Sequence, residues 1–158
     1  VGETLQLALR TTNNNDSDYV FSQALHSYFA VSDIADVEVT GLEHGRYIET
    51  LENWIEKPQT GAIACQGETD RIYLDTPSQI VIRDAGWQRR IHIHSAASHS
   101  AVVWNPWIEK AKRLSQFADD AWQRMLCVET ANVLDDCVRL APATSHTLDV
   151  TISELTMP

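Results

Sequence analysis

Alternation with period two dominates this chain. Leu5, Leu7 and Leu9 alternate with Gln6, Ala8 and Arg10, the pattern of a half-buried strand. Asn13-Asn14-Asn15-Asp16-Ser17-Asp18 is a turn signal. The segment from residue 19 to about 29 reads as a second strand, expected to close a hairpin with the first. Further strands are expected at 37–40, 46–50, 71–74, 79–83, 90–95, 101–104, 125–131 and 147–155. Short strands punctuated by Gly, Pro, Asn and Asp predict an all-β sandwich or barrel. Helical spacing is confined to 108–117, through Ile108, Ala111, Leu114 and Phe117, with Pro106 just ahead as a helix-start residue. Residues 52–67 are expected to form a long loop. With no internal repeat or linker, residues 1–158 are expected to be a single domain.

Composition narrows the classes. A chain of 158 residues can form a substantial core, since a domain near this size buries about 68–70% of its unfolded surface. No apolar run approaches the length of a membrane span, and no secretory signal is visible. The formal charge of −10 argues against nucleic acid, whose phosphates need a basic footprint. A small anionic ligand could still be met by Arg89, Arg90, Lys110, Lys112 or Arg113. Cys65, Cys127 and Cys137 are odd in number and fit no zinc or redox spacing, so reduced thiols in the cytoplasm are expected. The chain opens on Val1 with strand pattern close behind, and is expected to be part of a larger protein.

Several side chains could carry chemistry. Trp104-Asn105-Pro106-Trp107 sets two indoles astride a proline at a strand end, for packing or for stacking on a sugar. His26 lies mid-segment in Ala24-Leu25-His26-Ser27-Tyr28-Phe29. If Leu25 faces the core, His26 points the other way with Ala24 and Tyr28, as a surface histidine or a general acid. Glu129 interrupts the apolar stretch Leu126-Cys127-Val128-Glu129-Thr130-Ala131. It is either a solvated strand residue beside Cys127 or a buried base with a raised pKa. Asp70, ahead of Arg71-Ile72-Tyr73, is either a turn aspartate or an acceptor for sugar hydroxyls. His92 and His94 share one strand face, a spacing some metal sites use, although nothing marks a third ligand.

Three of these motifs occur in a telling order: the His26 segment, Trp104-Asn105-Pro106-Trp107-Ile108-Glu109-Lys110, and Met125-Leu126-Cys127-Val128-Glu129. With Glu68-Thr69-Asp70-Arg71-Ile72-Tyr73 and Leu140-Ala141-Pro142, the chain resembles the glucose-6-phosphate 1-epimerase branch of the aldose 1-epimerase superfamily. The resemblance runs from about Thr4 to Leu155, over the C-terminal half or somewhat more of a family member. It implies part of a galactose-mutarotase-like β-supersandwich. It also implies an isomerase that interconverts the anomers of a hexose 6-phosphate. The general acid falls on His26 and the general base on Glu129, with Asp70, Trp104 and Asn105 at the sugar. Only protons move, so no metal or other cofactor is implied.

The family's earlier strands have no counterpart here, nor do the basic residues expected to hold the 6-phosphate. The isolated chain is therefore expected to be weakly active or inactive. Its open sheet edges invite self-association. Two other readings compete: a non-catalytic carbohydrate-binding β-sandwich using Trp104 and Trp107, and a metal-dependent β-barrel enzyme using His92 and His94.

Overall fold

A computed structural model describes residues 3–157. Its elements are β1 (Thr4–Thr12), β2 (Tyr19–Phe21), β3 (Gln23–Leu25), β4 (Tyr28–Ala30), β5 (Val37–Thr40), β6 (Arg46–Glu49), β7 (Ile55–Pro58), β8 (Thr69–Leu74), β9 (Gln79–Asp84), β10 (Arg89–Ala96) and β11 (Ser100–Asn105), then helix α1 (Trp107–Ala111), β12 (Met125–Asn132), β13 (Val138–Leu140) and β14 (Ser145–Thr156). All the strand pairings are antiparallel. One sheet runs β1-β14-β10-β9-β5, and the second runs β3-β12-β11-β8-β6-β7 with β4 also on β12. A two-stranded ribbon pairs β13 with β2.

The alternating hydrophobic sets meet between the two large sheets. Val37, Val39, Ile80, Ile82, Ile91, Ile93 and Val150 come from the first sheet. Phe29, Tyr47, Tyr73, Ala101, Val103, Leu126 and Val128 come from the second, so a β-branched face of one sheet packs on a mixed aromatic and aliphatic face of the other. The expected all-β sandwich with one short helix is therefore what the chain forms.

Local details depart from the sequence expectations. The expected hairpin does not form, because β1 pairs with β14 and β2 with β13. Asn13 holds the divergence, donating from Nδ2 to the carbonyls of Ser17 and Leu140. The expected continuous strand over 19–29 is three short strands. The expected loop over 52–67 contains β7, and β13 carried no strand signal. The helix stops at Ala111, well short of 117.

Leu5, Leu7 and Leu9 are exposed rather than half-buried, at 49%, 37% and 39%. Among the described residues β1 is a sheet edge, and no layer covers its apolar face. Leu5 and Leu7 line an open trough of about 450 Å³ that reaches across to Tyr28 and Phe29 on β4.

Candidate active site

Strand register brings His26 and Glu129 together. Thr130 pairs with Leu25 and Cys127 pairs with Tyr28. The same register carried through the gap between β3 and β4 sets His26 opposite Glu129. The ladder is interrupted there, and the Ser27 N–H turns back to the Leu25 carbonyl at 2.9 Å. The imidazole Nε2 lies 3.1 Å from Glu129 Oε1. The pair is asymmetric: the His26 side chain is 49% exposed and that of Glu129 only 8%.

β12 lies between β11 on one side and β3 and β4 on the other, all of its residues are buried, and the His26 ring sits against the Glu129 carboxylate. Burial, and secondarily the negative charge of Asp70, push its carboxyl up to about 7. Asp70 reaches the same face through two registers: it pairs with Trp104, and Trp104 pairs with Cys127. It sits inside β8 rather than in a turn before it. Its neighbour Arg71 points to the opposite face, with Nε 3.0 Å from Glu49 Oε2 and the guanidinium over the Tyr47 ring.

Aromatic rings wall the histidine. Tyr28 stacks on His26 with ring centroids 4.8 Å apart and planes 10° from parallel. Trp104 meets both rings edge-on, at 6.1 Å from His26 and 6.2 Å from Tyr28. No motif marks Tyr28 in the sequence, although its two-residue spacing from His26 puts it on that face. Cys127 lies on the same face, wholly buried, its thiol pushed up by burial and by Glu129.

The other candidates go elsewhere. Asn105 follows Trp104 on the strand and so faces the opposite side. It is fully buried, and its Nδ2 donates to the carbonyls of Trp122 and Met125 at 2.8 and 2.9 Å. It supports the site from behind. Trp107 packs on Trp122 with centroids 4.4 Å apart. His92 and His94 lie on β10, in the other sheet from His26 and Glu129, and His92 Nδ1 pairs with Gln79 Nε2 at 2.9 Å. No cluster of three metal-ligating side chains occurs among the described residues. Of the basic candidates, Arg89 is spent on Asp84 and Glu154, Lys110 on Glu68 and Lys112 on Glu109.

A two-sheet antiparallel sandwich with a histidine and a buried acid side by side on one sheet face defines a class. Residues 1–153 match the aldose 1-epimerase family, and the chain belongs to it. Among individual relatives, it is 39% identical over 133 residues to a Cenchrus ciliaris protein named "Putative glucose-6-phosphate 1-epimerase". That match covers 82% of this chain and 40% of the relative. A Salmonella typhimurium protein of the same name is 34% identical over 131 residues, covering 82% of this chain and 43% of the relative. Among solved structures, a "putative mutarotase" from Salmonella typhimurium superposes with a TM-score of 0.90 at 29% identity, covering 99% of this chain and 51% of that one. The chain thus spans about two fifths of the curated relatives' length and half of the solved one.

Proposed function

We propose that this chain carries the proton-transfer centre of a hexose-6-phosphate 1-epimerase. The observation that carries the reading is the 3.1 Å meeting of His26 Nε2 with a buried Glu129 whose carboxyl is pushed up to about 7. A carboxyl poised near neutrality serves as base and acid by turns, and an imidazole beside it can give or take the second proton.

Glu129 takes the proton from the anomeric hydroxyl while His26 delivers one to the ring oxygen. The C1–O5 bond breaks and the open aldehyde forms. Rotation about C1–C2 presents the other face of the carbonyl, and the ring closes with the two groups in exchanged roles. Both reacting oxygens sit on one carbon, so a base and an acid must approach a single point, as the facing register of His26 and Glu129 allows. Admitting the sugar requires the contact to open, and the half-exposed His26 is the member free to move. Asp70 accepts from sugar hydroxyls and Trp104 offers a wall to the pyranose. Asn105 holds the turn behind them.

Hexose 6-phosphates are the proposed substrate class, supported by the names of the relatives. The cytoplasm is the proposed compartment, in keeping with the free thiols Cys65, Cys127 and Cys137. Among the described residues no helix is long and apolar enough to cross a membrane. We also propose that residues 1–158 act as one domain, a C-terminal portion of the larger sandwich.

The test is exchange spectroscopy of the α and β anomers of glucose 6-phosphate with chain and sugar both at millimolar concentration. At these concentrations the wild-type chain is expected to speed interconversion weakly but measurably above the spontaneous rate, and Glu129→Gln to return it to that rate. Equal rates in the two proteins would overturn the reading.

A further inference from the structure

His26 sits where the backbone does least to hold it. β3 ends at Leu25 and β4 begins at Tyr28, so His26 and Ser27 fall in a gap of the ladder on β12. Its side chain is half exposed, so close packing does not fix the ring either. Yet the imidazole is aimed at Glu129. What orients it must be sought among its side-chain neighbours.

Two flat neighbours bound it. The Tyr28 ring lies 10° from parallel at 4.8 Å, and Trp104 stands at 80° to the imidazole at 6.1 Å. A parallel ring resists rotation of the imidazole out of its plane and leaves in-plane travel free. The perpendicular indole edge limits that travel on one side. Tyr28 is itself well placed for this, because its own backbone is paired with Cys127 on the buried strand β12. The strand pleat brings Tyr28 and His26 to one face, two positions apart.

We infer that Tyr28 is a positioning residue, whose ring face holds the His26 imidazole in the plane from which Nε2 meets Glu129. This rests on the epimerase reading for its functional meaning, while the geometry stands apart from it. Stacking uses the face of the ring, which phenylalanine supplies equally well. Tyr28 is 56% exposed, so its replacement leaves the core intact.

The test is NMR of the 158-residue chain labelled with 15N at histidine. A ring-to-ring NOE between Tyr28 and His26 is expected in the wild type, and its absence would overturn the proposal without any variant. Tyr28→Phe is expected to keep the His26 ring-proton shifts. Tyr28→Leu is expected to move them toward those of an unstacked histidine, and to move Nε2 toward the resonance of an imidazole without a carboxyl partner. Unchanged His26 resonances in Tyr28→Leu would overturn it.

In anomer exchange, Tyr28→Leu should lower kcat on the order of tenfold or more with KM little changed. Tyr28→Phe should restore the rate. A rise in KM at constant kcat would instead make Tyr28 a sugar platform and overturn the positioning role. The NMR arm uses no sugar, so failure of the epimerase reading and failure of this one register in different experiments.

Discussion

Asn105 Oδ1 accepts the backbone N–H of Trp107 at 2.9 Å, across Pro106. Trp107 has a φ of 55°, a left-handed conformation that a bulky residue rarely adopts. The Asn105 side chain secures it, and with its other two bonds ties the turn to the start of β12. Asn105→Ala would leave the Trp122 and Met125 carbonyls and the Trp107 N–H without these partners. A loss of about 2–4 kcal/mol is expected, read by urea denaturation. A change below about 0.5 kcal/mol would mean that water replaces the amide.

Glu129 binds its proton more tightly in the folded chain than in the unfolded one. From the ordinary glutamate range up to about 7, the folded state therefore holds more protons, and stability falls as pH rises through that window. Glu129→Gln removes this loss. The variant is expected to match the parent near pH 4 and to exceed it at pH 8 by about 1–3 kcal/mol, since each tenfold change in proton affinity is worth about 1.4 kcal/mol. Denaturant midpoints at the two pH values decide it, and an equal difference at both would count against a raised Glu129.

The same substitution separates catalysis from simple binding. A base that moves a proton in the transition state is worth about 10²–10⁴-fold, and Glu129→Gln should lose at least the lower end of that range. A pure sugar-binding sandwich would accelerate nothing in either form.

The isolated chain should be a poor catalyst even so. One long side of the sandwich is open between β1 and β4, and Arg89, Lys110 and Lys112 are already engaged with acids. We expect kcat/KM below about 10⁴ M⁻¹s⁻¹, the low end of ordinary enzymes, measured by anomer exchange. A higher value would show that the site needs no further wall.

The β1 edge should also associate. It runs nine residues with neither Gly nor Pro, and Leu5, Leu7 and Leu9 are uncovered. Nothing along it matches the usual protections of an edge strand except Arg10. Light scattering of the wild-type chain should show mass rising with concentration, and Leu7→Lys should lower it. A strictly monomeric wild type would refute this.

The two layers and most strand positions follow from local pattern along the chain. Alternation through Ile80 and Ile82, Ile91 and Ile93, and Val37 and Val39 is a local pattern, and a period of two can bury only one face of a sheet. The order of the His26, Trp104 and Glu129 motifs was also legible, and with it the family. Partnership was not. The polar turn after β1 looked like a hairpin, but pairing depends on which distant strand offers the better register, and β14 takes β1 over nine positions.

Tertiary structure alone decided the site. No local pattern says that residue 26 faces residue 129; two strand pairings in one register say it. Nor could alternation tell whether Glu129 faces water; the side chains gathered on its face, His26 among them, leave it 8% exposed, and that burial pushes its carboxyl up to about 7. The adjacent residues Trp104 and Asn105, one motif in the sequence, were divided by the pleat between the site and its support. Desolvation and side-chain direction depend on what lies across the sheet, and a chain read one residue at a time does not contain that information.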